Sequence, residues 1–110
     1  MIDPLIKVVP VGTRIWFAEE KKPYRVRARC ERYLVCTKPF NPRKTVLYTV
    51  VDLEEGVRGT ENLVFGFGAE TDQQCEEMIK RLQGIDDMSI QTEVSHRNRV
   101  PLEVVRIETP

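Results

Sequence analysis

At 110 residues the chain is one domain's length, 1–110, enough for a single core with little redundancy. A 41% hydrophobic and 31% charged composition points to an ordered globule and away from disorder. The 17 basic and 17 acidic residues cancel to zero formal charge, which argues against a general nucleic-acid coat protein and leaves room only for a local cationic site.

Three cysteines (Cys30, Cys36 and Cys75), no CxxC spacing and a single histidine argue against both a disulfide scaffold and a zinc site. Reduced thiols in a cytosol are the simpler expectation, with no metal and no cofactor. The opening Met1-Ile2-Asp3-Pro4 has neither the basic nor the apolar region of a secretory leader. The longest apolar run falls far short of the roughly 20 residues that a membrane span requires.

In chain order, Leu5 to Val9 is a short apolar run closed by Pro10, read as an edge strand or lead-in. Val11-Gly12 is a turn. Arg14 to Ala18 is strand-like, and Glu19 to Pro23 is a polar loop. Tyr24 to Cys30 alternates: Tyr24, Val26, Ala28 and Cys30 are predicted to face one way, and Arg25, Arg27 and Arg29 the other. Glu31-Arg32 reads as a hairpin tip, with Tyr33 to Thr37 as the return strand. Lys38 to Lys44 carries two prolines and is predicted as a loop.

Thr45 to Leu53 is the strongest strand, apolar enough to be central and covered on both faces. Glu54-Glu55-Gly56 turns it. Val57 to Glu61 reads as a second turn-rich piece, and Asn62 to Phe67 as another strand. Thr71 to Gln83 is the one helix: Thr71 and Gln74 have capping-box spacing, Cys75, Met78, Ile79 and Leu82 form the apolar stripe, and Gly84 is the C-cap. Asp86-Asp87 reads as a turn. Leu102 to Ile107 closes the chain as a strand. The expected fold class is α+β, a curled, mostly antiparallel and barrel-like sheet with the helix on one face.

Four stretches bear on function. Arg25, Arg27 and Arg29 form a strand face that could meet phosphate, since guanidinium forks match its oxygens, or a solvated face that blunts edge pairing. Phe40, Asn41 and Arg43 lie in the proline loop, read either as a lid or subunit contact or as a rigid connector. Arg58, Gly59, Asn62, Phe65 and Phe67 could build a base-and-phosphate pocket, or a tight turn beside core aromatics.

The fourth stretch is Ser95-His96-Arg97-Asn98-Arg99-Val100-Pro101, which concentrates donors suited to phosphate or a nucleobase. Its plainer reading is a capped turn with surface ion pairs. Catalytic readings are weak. Ser95 has no nucleophile-elbow context, and adjacent Ser95 and His96 rarely face each other. The three thiols look like core, and no pair of carboxylates marks acid–base chemistry. No catalytic residue is assigned.

The strings Cys36-Thr37-Lys38-Pro39-Phe40-Asn41-Pro42-Arg43, Val46 to Asp52, Val57 to Phe65 and Glu93 to Val100 resemble small proteins encoded by phages and prophages. Within these, the chain is similar to the phage Thoeris anti-defence proteins of the first described type, which are nucleotide sponges. The resemblance covers roughly residues 36–100. It implies a protein that holds, without degrading, a cyclic ADP-ribose isomer made by a bacterial immune TIR enzyme, with cyclic oligonucleotides at separate sites. It also implies assembly as dimers that group into hexamers, in the cytoplasm of an infected host.

The family recipe sets an aromatic and an arginine against adenine, and arginine and amide groups on pyrophosphate. Phe65, Arg97, Asn98 and Arg99 match it in residue type, with Arg58 and Asn62 beside them. Arg25, Arg27 and Arg29 form a second candidate anion site. Two alternatives stay open: inhibition of a host defence protein by direct contact, as in anti-CRISPR proteins, and a small β-barrel nucleic-acid module, against which the zero net charge counts.

Overall fold

The computed structural model describes residues 4–18, 20–40, 45–59, 71–84 and 99–110. The described residues form an α+β fold: one α-helix, one short 3-10 helix and a seven-stranded antiparallel sheet curled into a half-barrel. The strands are β1 (Arg14–Phe17), β2 (Tyr24–Arg29), β3 (Tyr33–Phe40), β4 (Thr45–Asp52), β5 (Val57–Gly59), β6 (Arg99–Pro101) and β7 (Val104–Glu108). The helix α1 spans Asp72–Gly84. The sheet order is β6-β5-β4-β3-β2-β1-β7.

That order dictates the curl. The two edge strands, β6 and β7, are joined only by Leu102 and Glu103. Six strand spacings of about 4.8 Å would set the edges of a flat sheet about 29 Å apart. Three extended residue steps reach only about 11 Å. The sheet must therefore bend until its edges nearly meet at this link. Two backbone hydrogen bonds fasten the seam, Ala18 N–H to the Glu103 carbonyl (2.9 Å) and Leu102 N–H to the Gly56 carbonyl (2.9 Å).

Both faces of the sheet are covered, so there are two cores. Inside the curl lie Ile6, Val9, Ile15, Phe17, Tyr24, Val26, Leu34, Cys36, Val51, Leu53 and Leu102. On the outer face, Ala28, Tyr33, Val35, Tyr48 and Val50 meet Cys75, Met78, Ile79 and Leu82 of α1. The helix is capped as its sequence predicts: the Gln74 N–H donates to Thr71 Oγ1 and the Thr71 N–H to Gln74 Oε1, each at 3.1 Å. Burying each of the larger apolar side chains of its stripe contributes about 2 kcal/mol, which a helix this short needs. β4 sends alternate residues to the two cores, as its near-continuous apolar run implies.

Several sequence expectations are corrected. Residues 4–8 form a 3-10 helix, not an edge strand. With three residues per turn, Ile6 and Val9 share the buried face while Leu5 and Val8 stay exposed, a spacing that alternation would not give. Lys38 to Phe40 belongs to β3, although it contains Pro39. The β2 pairing ends at Thr37, so β3 has one free side there and the missing donor of Pro39 is tolerated. Val57–Gly59 is a strand, not a turn, because β4 and β6 pair with it on either side. The closing strand expected over Leu102 to Ile107 is β7, which starts at Val104, and Arg99–Pro101 of the donor-rich stretch forms a further strand, β6, on the opposite edge.

The turns at Val11-Gly12 and Glu54-Glu55-Gly56 are where the sequence places them. Gly12 and Gly56 both take positive φ, 97° and 71°. At Gly12 a Cβ would also come within 3.1 Å of Pro110 Cγ. The expected loop remainder 41–44, the strand at 62–67, the turn at Asp86-Asp87 and the segment 95–98 lie outside the described residues.

Candidate functional site at the barrel seam

The three arginines of β2 do not form one face. A β-bulge falls between Val26 and Ala28, so Val26 pairs with Cys36 and Ala28 with Val35. The extra residue is Arg27, and the inside–outside alternation resets behind it. Tyr24 and Val26 therefore enter the inner core, while Ala28 enters the helix-side core. Alternating burial along the strand survives, but the expected single arginine face does not.

Each of the three has a different role. Arg29 reaches back to the carbonyls of Val9, Lys7 and Cys30 and clamps the 3-10 helix. Arg27 donates from Nε to Asp72 Oδ1 (2.6 Å) and from Nη1 to Thr37 Oγ1 (3.1 Å), which ties β2 to the start of α1. Arg25 is exposed and makes no hydrogen bond or ion pair among the described residues. Arg25 and Arg27 do line a shallow cleft of about 440 Å³ with Val11, Gly12, Thr37, Val46 and Asp72.

Arg58 is different in kind. It sits on β5, opposite Val51 on one side and Val100 on the other. Only 6% of it is exposed. Its guanidinium carbon lies 4.5 Å from the Phe17 ring centroid and 5.8 Å from that of Tyr24, and these two rings meet edge to face at 5.5 Å. Among the described residues its carboxylate partner is Glu20, with Oε1 3.6 Å from Nη2, longer than a hydrogen bond. The same carboxylate holds Lys38 Nζ much closer, at 2.7 Å, and that ammonium also lies 4.7 Å from the Tyr24 centroid. Arg58 Nη1 is buried without a hydrogen-bond partner.

The surroundings raise the cost of that orphaned donor. Arg58 borders a cleft of about 180 Å³ whose other walls are Ala18, Val100, Pro101 and Glu103. Burial pushes the nearby Cys36 thiol up to about 12, and only the Arg58 charge pulls it back. Cys36 is thus a neutral thiol at physiological pH and supplies no counter-charge. Thr49, also fully buried, spends its hydroxyl on the Gly59 carbonyl.

The β5–β6 pairing brings two of the sequence's candidate stretches side by side, with Gly59 opposite Arg99 and Arg58 opposite Val100. Arg97, Asn98, Asn62 and Phe65, and the side chain of Arg99, lie outside the described residues. Sequence reasoning missed Glu20, Lys38, Phe17 and Tyr24 as neighbours of Arg58. Nothing local marks them: they meet only because β1, β2, β3 and β5 curl around one interior.

Among the described residues no group of His, Cys, Asp and Glu is placed to hold a metal ion. Among the same residues no helix is long and apolar enough to cross a membrane. Comparison with protein-family models, with curated proteins and with solved structures gives no match.

Proposed function

We propose that the protein is a binder, not a catalyst, that sequesters a phosphate-bearing cyclic nucleotide at the β5–β6 end of the half-barrel. The observation that carries this reading is Arg58: a residue only 6% exposed, its guanidinium lying over aromatic rings with one nitrogen unpartnered, on the strand paired to the Arg99–Pro101 stretch. Natural proteins rarely leave a buried donor unpaired, because it forfeits about 1–3 kcal/mol. An oxyanion would supply the missing acceptor.

The resemblance of residues 36–100 to phage anti-defence sponges supplies the ligand class, a cyclic ADP-ribose isomer, and the setting, the cytoplasm of an infected bacterium. A pyrophosphate suits arginine forks, and a purine suits an aromatic or guanidinium plane at about 1–3 kcal/mol per stacked base. Holding a signal below the threshold of its effector calls for nanomolar affinity, about −12 kcal/mol, which an enclosed site shared between two subunits can reach.

The test is to incubate the purified chain with TIR-generated nucleotide products, remove free ligand, and heat. Intact ligand in the released fraction is expected, and Arg97→Ala and Arg99→Ala are expected to weaken retention at least about tenfold, the loss of a charge-assisted hydrogen bond, with an unchanged melting curve. Release of a hydrolysed product would make the protein an enzyme.

A further inference from the structure

Glu20, Lys38 and Arg58 come from the β1–β2 connection, β3 and β5, and converge only because the sheet curls. Their charges do not cancel: one carboxylate faces two cations. The carboxylate is also divided unequally, 2.7 Å from Lys38 Nζ and 3.6 Å from Arg58 Nη2. Lys38 has its partner; Arg58 has only the outer reach of one. Among the described residues, Glu103 is the acidic group that lines the cleft; it is exposed and makes no ion pair with Arg58.

We propose that Arg58 forms an oxyanion subsite for a single phosphate group, with Glu20 as the resident counter-ion that the phosphate displaces from the guanidinium. This rests on the reading that this end of the barrel binds a phosphate-bearing ligand. It adds the guanidinium edge that receives the phosphate, with Nη1 unpartnered, and the competitor, Glu20, at the adjoining Nη2.

Three features fix the ligand chemistry. The Phe17 and Tyr24 rings flank the guanidinium, and its N–H edge, where Nη1 is unsatisfied, is the part that matches an oxyanion. The cleft of about 180 Å³ is smaller than the roughly 300–1,000 Å³ of a whole small-molecule site, so it takes one group of a ligand whose body lies outside. The excess is one positive charge, which selects a monoanionic group: a phosphodiester, or one phosphate of a pyrophosphate. Arg58 itself is only 6% exposed, so that attraction is screened less than one between surface charges.

The experiment titrates the full chain with inorganic phosphate at fixed ionic strength, by calorimetry, in wild type, Glu20→Gln and Arg58→Lys. Glu20→Gln keeps the shape but removes the competing charge, so phosphate should bind about fivefold more tightly. Arg58→Lys keeps the charge but loses the fork, and should bind about tenfold more weakly. Unchanged or weaker binding in Glu20→Gln overturns the proposal, as does wild-type affinity in a folded Arg58→Lys or no phosphate binding in the wild type. If Arg58→Lys does not fold, Glu20→Gln alone decides.

Nucleotide retention by the wild type separates the two claims. Retention combined with insensitive phosphate binding removes the subsite and leaves the binder reading standing elsewhere. The expected phosphate response without nucleotide retention removes the cyclic-nucleotide ligand and keeps the subsite.

Discussion

Asp52 and Arg58 are buried charges on neighbouring strands, 2% and 6% exposed, and the chain treats them in opposite ways. Asp52 closes β4 with both carboxylate oxygens engaged. It accepts from Arg32 Nε (3.1 Å) and Nη2 (3.0 Å), and from the backbone N–H groups of Glu54 (3.0 Å) and Glu55 (3.1 Å). The Asp52 side-chain hydrogen bond, more than any other influence, drives the Arg32 pKa upward, so Arg32 stays charged. Arg58 has one long ion pair, two rings and a donor without an acceptor. A saturated charge holds a turn together. An unsaturated one leaves a donor without an acceptor, and the fold carries it at some cost in stability.

The contrast is most exposed to test at Asp52. Asp52→Ala removes four hydrogen bonds at the tip of the β4–β5 turn and should cost about 3 kcal/mol, read from urea unfolding with an unchanged m-value. A loss below about 1 kcal/mol would mean that the saturated cluster is not the lock described.

Next in size is an alkaline weakness beside Arg58. The Cys36 thiol is held neutral up to about 12 in the native state, well above its ordinary value of 9.0, because burial disfavours the thiolate. The unfolded chain releases that proton first, so stability present below about pH 9 falls as pH rises towards 12, by up to about 1.4 kcal/mol per pH unit. Urea midpoints between pH 8 and about 11 check this, and a Cys36→Ala chain should lose that part of the slope.

Thr71→Ala should cost about 1 kcal/mol, the ordinary loss of a helix cap, which calibrates the scale with a site remote from both charges. Arg58→Met comes last. It should change stability by less than about 1 kcal/mol, since Glu20 keeps Lys38 and an apolar side chain suits the space against Phe17 and Tyr24. It should also abolish nucleotide retention. A destabilisation as large as that of Asp52→Ala would erase the distinction between the two charges.

The outer half of the fold is legible in the sequence because its signals are local. Thr71 with Gln74, and Cys75, Met78, Ile79 and Leu82, mark α1 within one stretch of 13 residues. The run ending at Asp52 marks β4, and the tyrosine–arginine alternation marks β2. What the sequence hides is non-local. The Arg27 bulge, which divides the arginine stripe between two faces, leaves no trace in a pattern of alternate residues. That Arg99–Pro101 is a strand at all is hidden because it lies in a donor-rich, proline-ended stretch; only its pairing with β5 reveals it. Arg58 could be singled out as a phosphate donor, but its burial and its sharing of Glu20 with Lys38 depend on four strands arriving together.

The pairing of β7 with β1 joins Arg14 to Glu108 across nearly the whole chain. Contacts of such long sequence separation form late, after the loop-closure entropy of everything between has been met. During synthesis β1 must wait with its outer edge bare until all of residues 18–103 have emerged, and a bare strand edge invites pairing with a neighbour. Crowded nascent chains on one message would therefore be prone to exchange their final strands, giving swapped dimers in which each half-barrel is closed by the other's C-terminal segment.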